Sequence, residues 1–134
     1  MIRYLLDTDM CIYVIKKKPK SVIERFKQSR ISEVGISSIT LSELEYAIFK
    51  SSKPEQNQIA LNQFLAPMEI AFYGDEAARH YGRLRTFLEK QGTPIGSLDV
   101  LIAAHAISLD CILVTNKEKE FIRVPHLKIE NWVA

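Results

Sequence analysis

Residues 98–114 read LDVLIAAHAISLDCILV, and this segment gives the first indication of the fold class. Its segment VLIAAHAI is apolar all round, which is typical of a helix that is buried on every side. The run CILV at 111–114 is strongly apolar and predicts a buried strand directly after that helix. A fully buried helix leading into a strand indicates a layered fold in which helices cover a sheet.

The rest of the chain shows the same alternation of short apolar runs and helical periodicity. Strands are predicted at 3–6, 34–36, 68–72, 111–114 and 127–129, and helices at 10–17, 19–29, 38–51, 54–65, 75–91 and 98–109. Gly92 ends the longest helix, and GTPIGS at 92–97 is a loop. Such alternation predicts an α/β three-layer sandwich, with a mostly parallel sheet of about five strands and helices on both faces.

Composition sets the class of protein. The 134 residues carry a net charge of +2 and are 47% hydrophobic, which suits one globular domain spanning 1–134. No apolar run is long enough to span a bilayer or to act as a signal peptide, so we expect a cytoplasmic protein without membrane partners. The two cysteines, Cys11 and Cys111, show no metal-ligand spacing and are expected to be core thiols. The basic residues near position 18 are expected to form a solvated face.

Polar residues at the carboxyl ends of the predicted strands are the first functional candidates, because ligands of open parallel sheets bind at that edge. Asp7 ends the first strand, and Thr115 and Asn116 follow the CILV strand. Glu43 is expected in the first turn of the helix after the second strand, and Asp99 at the start of the VLIAAHAI helix. The topology is therefore expected to bring these side chains together.

Each carboxylate also has a purely structural interpretation. Asp7 and Asp9 are good helix N-caps, and Thr40 to Glu43 fits a capping box in which Glu43 bonds back to a backbone amide. Asp99 is harder to explain in this way, because a carboxylate on a helix buried on every side needs a partner. Converging carboxylates repel one another unless a cation lies between them, and hard oxygen ligands favour Mg²⁺ or Mn²⁺. A phosphodiester substrate would complete the shell of such an ion.

Four motifs together carry a family resemblance: LLDTD at 5–9, TLSELEYA at 40–47, PIGSLDVLIAAHA at 94–106 and ILVTNKEKEF at 112–121. The chain resembles the PIN-domain nucleases and, more narrowly, the VapC toxins of bacterial VapBC toxin–antitoxin modules, over essentially its whole length. The resemblance implies that Asp7, Glu43 and Asp99 form a catalytic pocket that binds Mg²⁺ or Mn²⁺. It also implies an endoribonuclease that acts on tRNA, with the anticodon region of initiator tRNA favoured. A homodimer is implied as well, and a cognate VapB-type antitoxin that silences the toxin in a larger assembly.

The chain departs from that family pattern after the last core strand. Many members have a fourth acid in a T-x-D motif, whereas this chain has Thr115, Asn116 and Lys117. The loss of negative charge weakens any second metal site, although Glu120 or Asp9 can restore some of it. In the proposed mechanism Asp7 and Asp99 bind the metal and Glu43 binds it or orients water. Supporting hydrogen bonds are assigned to Thr8, Thr115 and Asn116.

Two alternatives to a metal-dependent nuclease remain open from the sequence. The LLDTD motif resembles the start of DxD-type phosphatases, whose first aspartate is a nucleophile, but the later lysine and acidic pair of those enzymes do not follow. The other alternative is a non-catalytic interaction module whose acids only cap helices. Metal-free cleavage by paired histidines is disfavoured, because His80, His105 and His126 lie in unrelated contexts.

Overall fold

The computed structural model describes residues 1–133, which form helices and strands in regular alternation. The strands are β1 (Tyr4–Leu6), β2 (Val34–Ser37), β3 (Glu69–Ala71), β4 (Ile112–Val114) and β5 (Lys128–Glu130). The α-helices are α1 (Thr8–Lys16), α2 (Lys20–Gln28), α3 (Ser38–Lys50), α4 (Pro54–Leu65), α5 (Asp75–Lys90), α6 (Ser97–Leu109) and α7 (Glu118–Phe121). A short 3₁₀ turn, Ile31–Glu33, precedes β2.

The five strands form one sheet in the order β3-β2-β1-β4-β5, and all four pairings are parallel. β1 lies at the centre, where Tyr4 pairs with Val34 on one side and with Ile112 on the other. Parallel neighbours need crossover connections, and the helices supply them. The predicted α/β class and the five-stranded parallel sheet are confirmed.

The sheet is covered on both faces, because side chains alternate in direction along each strand. Leu5 and Leu113 belong to a core with helices α5 and α6, and its other large buried members include Ile102, Leu88 and Phe121. Leu6 and Ile36 belong to the opposite core, which contains residues of helices α1 to α4. The sandwich therefore has three layers, as expected.

Helix ends explain two differences from the sequence prediction. Ser37 is the N-cap of α3, and its Oγ accepts a hydrogen bond of 3.0 Å from the backbone N–H of Ile39. Thr40 therefore lies inside the helix, and the predicted Thr40–Glu43 capping box is wrong. Glu43 is the sixth residue of α3 and lies in its second turn rather than its first. By contrast, Asp7 does cap α1.

Sequence periodicity did not predict two short elements, the 3₁₀ turn and α7. Helix α7 has four residues, EKEF, and only Phe121 among them is buried. A segment this short and polar has no apolar period to detect. No helix within residues 1–133 has the length and apolar character needed to cross a membrane.

Candidate metal-binding and nuclease site

The candidate residues gather at the edge of the sheet where the strands end. Asp7 follows β1 and Thr115 follows β4, and these two strands are paired neighbours. Helix α6 leads into β4 and runs back along the sheet, so its first turn, which contains Asp99, lies near that same edge. The connections of a parallel sheet thus bring together residues that are about ninety positions apart in the chain.

Asp7 is the most buried of the candidate acids, with 3% of its surface exposed. Its Oδ1 accepts a 2.9 Å hydrogen bond from the backbone N–H of Met10, and the hydroxyl of Thr115 donates a second hydrogen bond. Burial nevertheless raises the pKa of Asp7 from 3.8 to about 6, because these donors and Lys117 only partly offset the loss of water and the nearby charge of Asp9. The two hydrogen bonds hold the Asp7 carboxylate in place, but the positive charge near it is too small to compensate for its burial.

Asp99 lies in the first turn of α6 with 15% of its side chain exposed. Burial, together with a hydrogen bond to the carboxyl group of Glu120, raises the pKa of Asp99 from 3.8 to about 6, although Lys117 acts in the opposite direction. Glu120 is fixed in turn by the backbone N–H of Gly96, which donates a 2.8 Å hydrogen bond to its Oε1. The ammonium of Lys117 lies 3.2 Å and 3.4 Å from the two carboxylate oxygens of Asp99.

Glu43 reaches the site from α3. Its Oε1 accepts a hydrogen bond of 2.5 Å from the hydroxyl of Thr8, the first residue of α1. Burial raises the pKa of the Cys11 thiol, and the charges of Asp7, Asp9 and Glu43 raise it further. Thr8 therefore connects Glu43 to the segment that carries Asp7.

The side chains fit a hard cation by their chemistry, since the inner groups are carboxylates and hydroxyls. Two of the carboxylates, Asp7 and Asp99, have raised pKa values, which indicates a local deficit of positive charge. As placed, no three Asp, Glu, His or Cys side chains in residues 1–133 converge into a cage for a metal ion. Lys117 now occupies the oxygens of Asp99, and Thr8 holds Glu43.

Asn116 lies at the exposed rim of the site and not among the carboxylates. Its Nδ2 donates to the hydroxyl of Tyr13 at 3.4 Å, and its Oδ1 accepts from Asn131 at 3.0 Å. Asn131 also donates to Glu118 at 2.5 Å. The sequence analysis missed Asn131, although this residue directly follows β5 and so meets the same strand-end criterion as Asp7.

His105 is buried in α6, where its Nδ1 lies 2.8 Å from the Oγ of Ser37. Burial lowers the pKa of His105, so its imidazole is neutral near pH 7. Its contact with the N-cap of α3 is a structural one.

Comparison with known proteins gives a consistent result. A sequence model of the PIN domain matches residues 4–127. The ribonuclease VapC2 of Rickettsia felis is 46% identical over 130 residues, which cover 96% of this chain and 97% of that protein. The tRNA(fMet)-specific endonuclease VapC of Salmonella typhimurium is 43% identical over 132 residues, covering 98% and 99%. The structure of DNA-bound VapBC from Salmonella typhimurium matches with a TM-score of 0.93 and 43% identity, over 98% of this chain and 99% of that one.

Proposed function

This chain belongs to the PIN-domain family and, within it, to the VapC ribonucleases, and we propose that it is a Mg²⁺- or Mn²⁺-dependent endoribonuclease toxin. The observation that carries the metal dependence is the pair of carboxylates at one edge of the sheet, the buried Asp7 and the partly buried Asp99. Both have pKa values raised to about 6, although the charge of Lys117, which contacts Asp99, lowers both. Carboxylates gathered in this way are stabilised by a divalent cation.

Asp7 and Asp99 would hold the ion, and Glu43 would bind it or orient the attacking water. When bound, Mg²⁺ or Mn²⁺ polarises the phosphodiester and lowers the pKa of the attacking water. Thr115 keeps Asp7 in place by donating a hydrogen bond to it, and Thr8 does the same for Glu43. Glu120 shares a hydrogen bond with Asp99 and so adjusts its charge. Asp9 adds negative charge nearby, and Asn116 would contact RNA at the rim.

The substrate we propose is tRNA, with the anticodon region of initiator tRNA favoured. Support comes from the relative of Salmonella typhimurium, which is named for its action on tRNA(fMet) and aligns with 98% of this chain. The DxD-phosphatase alternative loses its basis, because the chain belongs to a different family. A tRNA substrate would place the protein in the bacterial cytoplasm.

The partner we propose is a VapB-type antitoxin bound in an apolar groove between α1, α3 and α4. The groove has a volume of about 280 Å³, and its apolar lining includes Ile12, Ile15, Leu44, Ile48 and Leu61. On the same helix α3, Tyr46 and Phe49 are 65% and 78% exposed. An amphipathic helix would fill such a groove with its apolar face. Similar VapBC complexes support this partner, and we propose that the toxin also forms a homodimer within the assembly.

Cleavage of a bulk tRNA pool tests the enzymatic proposal. The purified protein is incubated with Mg²⁺ or with a chelator, beside Asp99→Asn and a control, Asp75→Asn, at the exposed start of α5. We expect discrete fragments from the wild type and from Asp75→Asn only when metal is present. We expect no fragments from Asp99→Asn, which excludes a contaminating nuclease. Full activity of Asp99→Asn would refute the site, and inactivity of every sample without metal binding would favour a non-catalytic interaction module.

A further inference from the structure

Lys117 follows the last residue of β4 by three positions, and its side chain reaches the acidic site. It lies at the N-terminal boundary of α7, and its Nζ contacts both carboxylate oxygens of Asp99 at 3.2 Å and 3.4 Å. The Lys117 side chain is 42% exposed, whereas that of Asp99 is 15% exposed. The ammonium therefore enters the acidic site from the solvent side and covers its outer carboxylate.

The backbone of Lys117 is fixed independently of its side chain. Its N–H donates a 2.9 Å hydrogen bond to the Oγ1 of Thr115, whose own hydroxyl donates to Asp7. The four-carbon stem of a lysine is flexible, so the ammonium can leave Asp99 while the backbone stays in place. Lys117 is thus attached to the site by a rigid backbone and a movable charge.

The charges around Lys117 show what the ammonium does in this position. Burial lowers its pKa, but the attraction of Asp99, with smaller contributions from Asp9 and Glu120, more than offsets this and leaves the pKa of Lys117 raised. The same ammonium lowers the pKa of Asp7 and of Asp99 against the effect of their burial. One mobile positive charge therefore partly stabilises the ionised carboxylates that would bind a divalent ion in the proposed function.

We propose that Lys117 is a tethered competitor of the divalent ion, which neutralises Asp99 in the metal-free protein and must leave Asp99 before the ion can bind. This inference rests on the proposed metal site. The ammonium and a metal ion would compete for the carboxylate of Asp99, and two cations in contact with one carboxylate repel each other. Lys117 thus weakens metal binding and stabilises the metal-free fold.

Calorimetric titration with Mn²⁺ measures this competition without using RNA. The samples are the wild type, Lys117→Met, Lys117→Arg and Lys119→Met, all metal-free at the start. Lys119 is the matched control because it lies two residues away on α7 and is exposed. We expect Lys117→Met to bind Mn²⁺ about fivefold more tightly than the wild type, because a partly exposed ion pair of this kind is lost.

Lys117→Arg retains a competing cation and should stay within about twofold of the wild type, as should Lys119→Met. Thermal unfolding in chelator provides a second measurement, in which Lys117→Met should unfold at a lower temperature than Lys119→Met and regain more stability on addition of Mn²⁺. Lys117→Gln is a second variant for the case that the methionine substitution prevents folding.

Three outcomes separate this inference from the proposed function. Tighter binding by Lys117→Met that disappears in the double variant Lys117→Met/Asp99→Asn supports both. Equal Mn²⁺ affinity of the wild type and Lys117→Met overturns the competitor while leaving the metal site intact. Absence of Mn²⁺ binding in every variant, including Lys117→Met and Lys117→Gln, overturns the metal site of the proposed function and the competitor with it.

Discussion

The two main carboxylates of the site are held in different ways. Asp7 is 3% exposed and accepts hydrogen bonds from a backbone amide and a buried hydroxyl, whereas Asp99 is more open and contacts the charged side chains of Lys117 and Glu120. Asp7 is fixed by the backbone, since it is the N-cap of α1. Asp99 is held by the side chains of Lys117 and Glu120, which are flexible. Rigid positioning and exchangeable charge are thus divided between two halves of one site.

The largest effect is expected from Asp7→Asn. This substitution removes the negative charge of the rigidly held carboxylate but keeps the shape of the side chain. Asparagine is also a favoured N-cap, so α1 should retain its hydrogen bond from Met10. Loss of one metal-binding carboxylate should reduce RNA cleavage about a thousandfold. Initial rates on a fixed tRNA substrate, with circular dichroism as the control for folding, measure this. Wild-type rates in Asp7→Asn would show that Asp7 is only a cap.

The same substitution should stabilise the metal-free protein. The folded-state pKa of Asp7 is about 6 against 3.8 for an ordinary aspartate, so the folded protein binds this proton more tightly than the unfolded chain. The resulting stability is complete below about pH 4 and is lost as the pH rises through 6. At neutral pH, Asp7→Asn should gain about 1–3 kcal/mol over the wild type.

Urea unfolding in chelator at several pH values measures that gain. The difference in unfolding free energy between Asp7→Asn and the wild type should grow from pH 4 to pH 6 and then level off. A difference that does not change with pH would mean that Asp7 titrates normally, contrary to its burial.

A smaller effect is expected where Thr8 connects α1 to Glu43. Thr8→Val removes the hydroxyl that donates to Glu43, while Thr8→Ser keeps it. Loss of such a supporting hydrogen bond should lower cleavage about tenfold, and the serine variant should stay near the wild type. The comparison of kcat for the two variants is the measurement. A loss in Thr8→Ser without a loss in Thr8→Val would assign the effect to packing of the Thr8 methyl group and not to its hydrogen bond.

The smallest effect is expected at Gly96, on the exchangeable side of the site. A Cβ at this position would lie 3.1 Å from the Oδ2 of Asp99 and 3.4 Å from the Oε1 of Glu120. Both atoms end flexible side chains, so Gly96→Ala should lower cleavage by only about threefold through a small displacement of Asp99. Gly82→Ala is the control, because a Cβ there meets nothing within 4 Å. An equal loss in the control would show that the effect is not local to the site.

The layers of the fold were predictable from the sequence, but several contacts within the site were not. Hydrophobic patterning located the central strand and the buried helix α6, because an element that is buried on both sides has a nearly continuous run of apolar residues. The pairing of Thr8 with Glu43 joins residues 35 positions apart, and no local pattern encodes it. The Thr40–Glu43 motif even favoured a wrong local partner. The position of Asp99 in a buried helix did indicate that it needs a partner, but not that Lys117 would provide one.

The central position of β1 has a consequence for the synthesis of the protein. One neighbour of β1 is residues 34–37, while the other is residues 112–114, near the far end of the chain. During translation, β1 can therefore pair with β4 only after most of the polypeptide has left the ribosome. Asp7 is synthesised early but reaches Thr115 and Lys117 only at that late stage. A nascent chain that ends before β4 consequently has no assembled site.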